Sequence, residues 1–73
     1  MSKLINVFVC DKDGYGLSGR KVNLYMGAPK YTDSQGRVSF VATDSNCTVY
    51  VEGRQVYNGS VRNADDPIVC IRS

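Results

Sequence analysis

The chain has 73 residues with a net charge of +2, no histidine, no tryptophan and three cysteines. A chain of this size buries only about 60% of its unfolded surface, so the expectation is one domain over residues 1–73 with a thin core. There is no run of roughly 20 apolar residues to span a membrane, and the N-terminus lacks the apolar segment of a signal peptide. Basic residues never run longer than Arg20-Lys21. The sequence therefore reads as a soluble cytoplasmic protein with no membrane contact, and nucleic acid is disfavoured as a partner.

In chain order, Leu4–Cys10 reads as a strand with Ile5, Val7 and Val9 on one face and Leu4, Phe8 and Cys10 on the other. Both faces are substantially apolar, interrupted by Asn6, so the second one is expected to meet another surface, and a second copy is one such surface. Asp11–Gly19 is a loop rich in turn residues. A strand follows at Arg20–Met26, with Val22 and Leu24 inward and Lys21, Asn23 and Tyr25 outward, broken by Gly27-Ala28-Pro29. Lys30-Tyr31-Thr32 is a short strand, and Asp33-Ser34-Gln35-Gly36 carries turn chemistry. Arg37–Ala42 alternates cleanly with Val38, Phe40 and Ala42 inward. Cys47–Glu52 and Gln55–Val61 then flank Gly53-Arg54 as a hairpin, Asn63–Pro67 is an acidic turn, and Ile68–Ile71 is a last strand. No segment sustains a 3.6-residue apolar period, so no helix longer than one turn is expected. The fold class is all-β: a sandwich of about seven short strands centred on Val22, Leu24, Val38, Phe40, Val49 and Val51.

Catalytic and metal chemistry find little support. Without histidine the commonest general base is missing, and neither Cys10 nor Cys47 has a neighbour in sequence that would activate it. An odd cysteine count without a signal peptide points to three reduced thiols. Asp11-x-Asp13-Gly14 has the start of a calcium loop, but Val22 stands where the bidentate glutamate belongs, so a turn is the reading. Three isolated cysteines lack zinc-ligand spacing. No cofactor, no metal and no enzymatic activity are expected.

The residues Val9-x-Asp11-x-x-Gly14-x-x-Leu17-x-Gly19-x-x-Val22-x-Leu24 and Thr32-Asp33-x-x-Gly36-x-Val38-x-Phe40 resemble the prealbumin-like modules. These are the transthyretin-like, carboxypeptidase-regulatory-like and collagen-adhesin B-type domains. The resemblance covers roughly the first 42 residues and implies a Greek-key β-sandwich used as scaffold, spacer or docking surface. Two chemistries of that group have no counterpart in this chain. Its ureide hydrolases depend on histidines, and the adhesin domains draw an isopeptide lysine from the first strand, where this chain has Val9.

Exposed tyrosine and arginine are the residue types that anchor interfaces, and also those that stack bases. Leu4, Phe8, Tyr25, Tyr50, Arg54 and Tyr57 are accordingly the interaction candidates. The function expected is a non-enzymatic protein–protein interaction or adaptor module with a protein partner or as a homodimer. The resemblance extends this to an accessory of a bacterial secretion-spike or phage-tail assembly. The alternative is a small nucleic-acid-binding β-barrel.

Overall fold

The alternating β-branched and aromatic residues at Ile5, Val7 and Val9 and at Val38 and Phe40 suit a pleated strand with one buried face. In the computed structural model, which describes residues 3–25 and 27–72, those positions lie on two adjacent strands. Seven strands form: β1 (Lys3–Cys10), β2 (Lys21–Leu24), β3 (Lys30–Tyr31), β4 (Arg37–Ala42), β5 (Asn46–Val51), β6 (Arg54–Ser60) and β7 (Ile68–Ile71). They make a three-stranded sheet in the order β4-β1-β7 and a four-stranded sheet in the order β3-β2-β5-β6. The β1–β7 pairing is parallel and the other pairings are antiparallel. The helical content among the described residues is one 3-10 turn, Val61–Asn63, capped by the Ser60 hydroxyl oxygen. The expected strand end at Met26 lies outside the described residues.

The two sheets pack face to face around Ile5, Val7 and Val9 from β1, Val22 from β2, Val38, Phe40 and Ala42 from β4, and Val49 and Val51 from β5, closed by Val61, Ile68 and Cys70. Five of the six residues expected at the centre are buried there; Leu24 is half-buried and packs on the margin. Its strand ends at that residue, so the second sheet no longer covers it on all sides. Cys10, expected beside Leu4 and Phe8 on an open face, is buried at 4% exposure. Gly16 bridges it on one side and Ile71 pairs with it on the other, so a side chain this small is enclosed by its neighbours.

The two Asp-x-x-Gly segments are copies of one device. Asp11 Oδ1 accepts from the N–H groups of Asp13 and Tyr15, and Asp33 Oδ1 accepts from those of Gln35 and Arg37. In each, the glycine three residues on has positive φ and donates back to the aspartate carbonyl. The turns meet where the Gly36 carbonyl accepts from Val9 N–H and the Val9 carbonyl accepts from Leu17 N–H, both at 2.8 Å. A methyl group on Gly16 would overlap the Gln35 carbonyl, and one on Gly36 would overlap that of Val9, so backbone packs on backbone here.

Thr32 completes the strap between these loops. It donates its N–H to the Arg20 carbonyl, accepts from Gly19 N–H, accepts on Oγ1 from Arg20 N–H, and donates its hydroxyl to the Leu17 carbonyl. Thr32 is the one buried polar side chain among the described residues. Replacing it with isosteric valine strands one donor and one acceptor, each costing about 1–3 kcal/mol. Urea unfolding of Thr32→Val is therefore expected to show a loss of about 2–4 kcal/mol; an unchanged midpoint would contradict the strap's role.

The backbone hydrogen bonds from Arg37 and then Gln35 hold the Asp33 carboxyl below its ordinary pKa. Because the folded-state value is depressed, its contribution to stability is complete above the unfolded carboxylate value and is lost as pH falls through the folded one. The stability gap between the wild type and Asp33→Asn should be open at about pH 6 and close toward about pH 2.5. Paired urea titrations across that range measure it, and a gap independent of pH would rule the linkage out.

The β5–β6 hairpin turns one residue earlier than expected. Glu52 and Gly53 both take positive φ, at 52° and 83°, the pattern of a two-residue primed turn. β6 therefore begins at Arg54, and its pairing with β5 slips at Val49/Tyr50. The Glu52 N–H donates to the Lys21 carbonyl at 2.8 Å, and its carboxylate faces the guanidinium groups of Arg20 and Arg72 at 3.5 and 3.3 Å.

Candidate functional site

The outer faces of the two sheets differ in chemistry. On the four-stranded sheet, the outward residues of β2, β5 and their neighbours are Lys21, Asn23, Tyr31, Thr48, Tyr50, Gln55 and Asn58, a wettable surface. On the three-stranded sheet, strand register brings apolar side chains together: Leu4 lies opposite Val41, Phe8 opposite Val69, and Cys10 opposite Ile71. Leu4 is 53% exposed, Val41 64%, Val69 55% and Ile71 65%. Phe8 is half-buried beneath Arg37, whose guanidinium carbon sits 5.7 Å from the ring centroid.

A polar rung crosses the middle of this face. The Ser39 hydroxyl donates to Asn6 Oδ1 at 2.6 Å, and Asn6 Nδ2 donates to Asp66 Oδ1 at 2.8 Å. Asn6 therefore uses both ends of its amide within the molecule, which lowers the cost of covering it. Asp33, Arg37 and Pro67 border the shallow depression around the rung.

One edge of this sheet is also blunted. Lys30 pairs with Val22 in register and so takes an inward position at the open side of the sandwich. Its ammonium lies 5.2 Å from the Phe40 ring centroid and donates to the Ser39 carbonyl at 2.9 Å, occupying an acceptor on β4.

The six interaction candidates are not gathered into one site. Leu4 and Phe8 share the apolar face just described. Tyr25 follows β2, 65% exposed, at the rim of a cleft of about 300 Å³ that also contains the half-buried Cys47. Tyr50 is half-buried on the polar outer face, between Asn23 and Gln55 in register. Arg54 is exposed at the hairpin. Tyr57, named as an exposed anchor, is half-buried instead: it pairs with the inward Val49, packs against the core and donates its hydroxyl to the Ser60 carbonyl at 2.5 Å. The slip in β6 register accounts for this, because it resets the alternation before Tyr57. Val41, Val69 and Ile71 complete the apolar face; alternation along Arg37–Ala42 puts Val41 outward, as found, while its meeting with Leu4 and the places of Val69 and Ile71 were not expected, the unbroken apolar run Ile68–Ile71 being the available signal.

Metal and thiol chemistry stay in the background. The Asp11 carboxylate oxygen serves its own turn, and no group of three His, Cys, Asp or Glu among the described residues is placed to hold a metal. All three cysteines are free. Burial raises the thiol pKa of Cys47 and of Cys70, which makes both poorer nucleophiles. Among the described residues no helix is long and apolar enough to cross a membrane. No family model, curated protein or solved structure matches the chain.

Alkylation under denaturing, non-reducing conditions should add mass at all three cysteines. In the folded protein, Cys10 and Cys70 should resist Ellman's reagent while Cys47 reacts slowly. A mass showing one labelled thiol would mean that a disulfide forms.

Proposed function

We propose that this chain is a non-enzymatic protein-interaction module that docks another protein on the outer face of its three-stranded sheet. The observation that carries the proposal is the contrast between the two outer faces. One is polar, as a solvated sheet face should be, and the other presents Leu4, Phe8, Val41, Val69 and Ile71 around an internally satisfied rung. Exposed apolar surface gathered on one face of a small domain, here on either side of the rung, is the kind that marks an interaction site. A prealbumin-like identity belongs to the same reading and is supported by the seven strands in two sheets and by the paired aspartate turns. By resemblance alone, the setting is an accessory of a secretion-spike or phage-tail assembly.

A base-stacking role has less support. Nucleic-acid platforms set aromatic rings in a cationic groove, whereas Tyr50 is flanked in register by the uncharged Asn23 and Gln55.

A photo-crosslinking amino acid placed at Val69 and, separately, at Tyr31 tests the docking face in the cells that make the protein. Both positions are exposed, on opposite sheets. Protein adducts are expected from Val69 and not from Tyr31. Equal yields, or adducts from Tyr31 alone, would defeat the proposal.

A further inference from the structure

We infer that the outer edge of β7 takes an extended segment of a partner protein as a fourth strand of the smaller sheet. The inference goes beyond the docking reading, because it concerns the edge of that sheet and requires nothing to cover its outer face. Two observations support it: the main-chain groups at this edge are open, and the sheet is one strand short on this side.

The open groups follow from one hydrogen bond. The Arg72 N–H donates to the Cys10 carbonyl at 2.7 Å, so that residue faces β1. Main-chain groups alternate sides along a strand, so Ile68 and Cys70 face β1 as well, in register with Val7 and Val9. Val69 and Ile71 therefore turn both their N–H and their carbonyl groups away from β1. β7 ends the sheet on that side, and no other strand pairs with it.

The remaining edge strands are guarded. On β4, Asp33 engages the Arg37 N–H and carbonyl, and the Lys30 ammonium takes the Ser39 carbonyl. On β6, the Val61 N–H faces the Ser45 carbonyl, so the Ser60 carbonyl points outward, and the Tyr57 hydroxyl occupies it. A register shift interrupts the same strand further back, and β3 is only two residues long. Lysines, bulges and short strands are the usual means of keeping an edge from pairing. β7 is short too, but Ile68–Ile71 holds no charge, proline or bulge.

The missing strand shows in the packing. Lys30 reaches from β3 to β4, so those two strands lie on one side of the sandwich and β6 and β7 on the other, where four strands face three. No residue of β6 is fully buried, whereas Val49 and Val51 on neighbouring β5 are 0% exposed. Val56 and Tyr57 are left half-buried against the core margin. A strand added to β7 would bond to Val69 and Ile71 and turn alternate side chains down toward Val56 and Tyr57. The occupant is therefore an extended polypeptide with apolar residues at alternate positions. A second copy does not supply this, because the inward residues of its β7, Ile68 and Cys70, are already buried in its own core.

The test uses the full chain and seven-residue peptides selected on it from a random displayed library. In the free protein, amide hydrogen exchange read by NMR should be fast at Val69 and Ile71 and slow at Cys70. A selected peptide should slow exchange at Val69 and Ile71. Val69→Pro removes an outward N–H without touching the β1 ladder, and should weaken peptide binding at least about tenfold. If that variant fails to fold, N-methylation of alternate peptide residues takes its place, with the same loss expected. Val41→Lys, on the outer face but on the far strand, should bind the peptide as the wild type does.

Protection of Val69 and Ile71 in the free chain overturns the inference, and protection that grows with chain concentration assigns the edge to a second copy instead. It is also overturned if no peptide is selected, or if binding survives both Val69→Pro and alternate N-methylation. Binding lost in Val41→Lys but kept in Val69→Pro overturns it as well, and puts the contact on the outer face as the docking reading has it.

Discussion

The strap that Thr32 and Gly36 throw across the Leu17–Arg20 segment is the constraint on which the rest depends. Four hydrogen bonds at Thr32 and the Gly36 carbonyl's bond to Val9 join the loop leaving β1 to the loop entering β4. β1 and β4 are neighbours in one sheet, while β2 and β3 belong to the other. The strap therefore fixes how the chain leaves the first sheet, enters the second and returns. Such crossings are where a thin sandwich is weakest, since the loops contribute little apolar burial and must satisfy their backbone groups locally. The buried Thr32 hydroxyl and the backbone contact at Gly16 and Gly36 meet that need.

Much of this was legible in the sequence, though for a partial reason. Asp11-x-x-Gly14 and Thr32-Asp33-x-x-Gly36 stood out as turn chemistry, and each does form a turn. The sequence could not show that the two turns and Leu17–Gly19 touch, because the contact joins residues that are distant along the chain. Period-two reading placed Val22, Val38, Phe40, Val49 and Val51 correctly because one face of each strand is buried. It failed where something besides alternation decides position. Leu24 lies at a strand end, and Cys10, though in phase with Leu4 and Phe8, is enclosed by a bridge to Gly16.

The candidate face was half legible. Leu4 and Phe8 stood out because β1 is apolar on both sides, and a strand needs only one side for the core. Val41, Val69 and Ile71 are single apolar residues whose meaning appears only when β4 and β7 are set beside β1. Aromatic content led in the wrong direction for Tyr57, since a register slip of one residue exchanges the two faces of a strand. Tyr25, Tyr50 and Arg54 sit away from the apolar face, so residue type without topology assembled a set that the fold separates.

Asn6 is the residue whose placement says most about how the face is used. A valine there would make the β1 column apolar from Leu4 to Phe8 and increase the area available for burial. Such a face would associate more strongly, but it would also slide, because apolar side chains on a pleated surface accept several alignments. The amide bonded to Ser39 and Asp66 interrupts the apolar column at one height. Any partner must set a polar group or a matching amide against that height, or leave the free edge of the rung facing hydrocarbon. Nearby Arg37 and Asp66 add a lateral requirement, so alignment is constrained along the strands by the rung and across them by the margins. Surface apolarity supplies the drive for association, and this small set of polar groups selects one alignment from those the drive alone would permit.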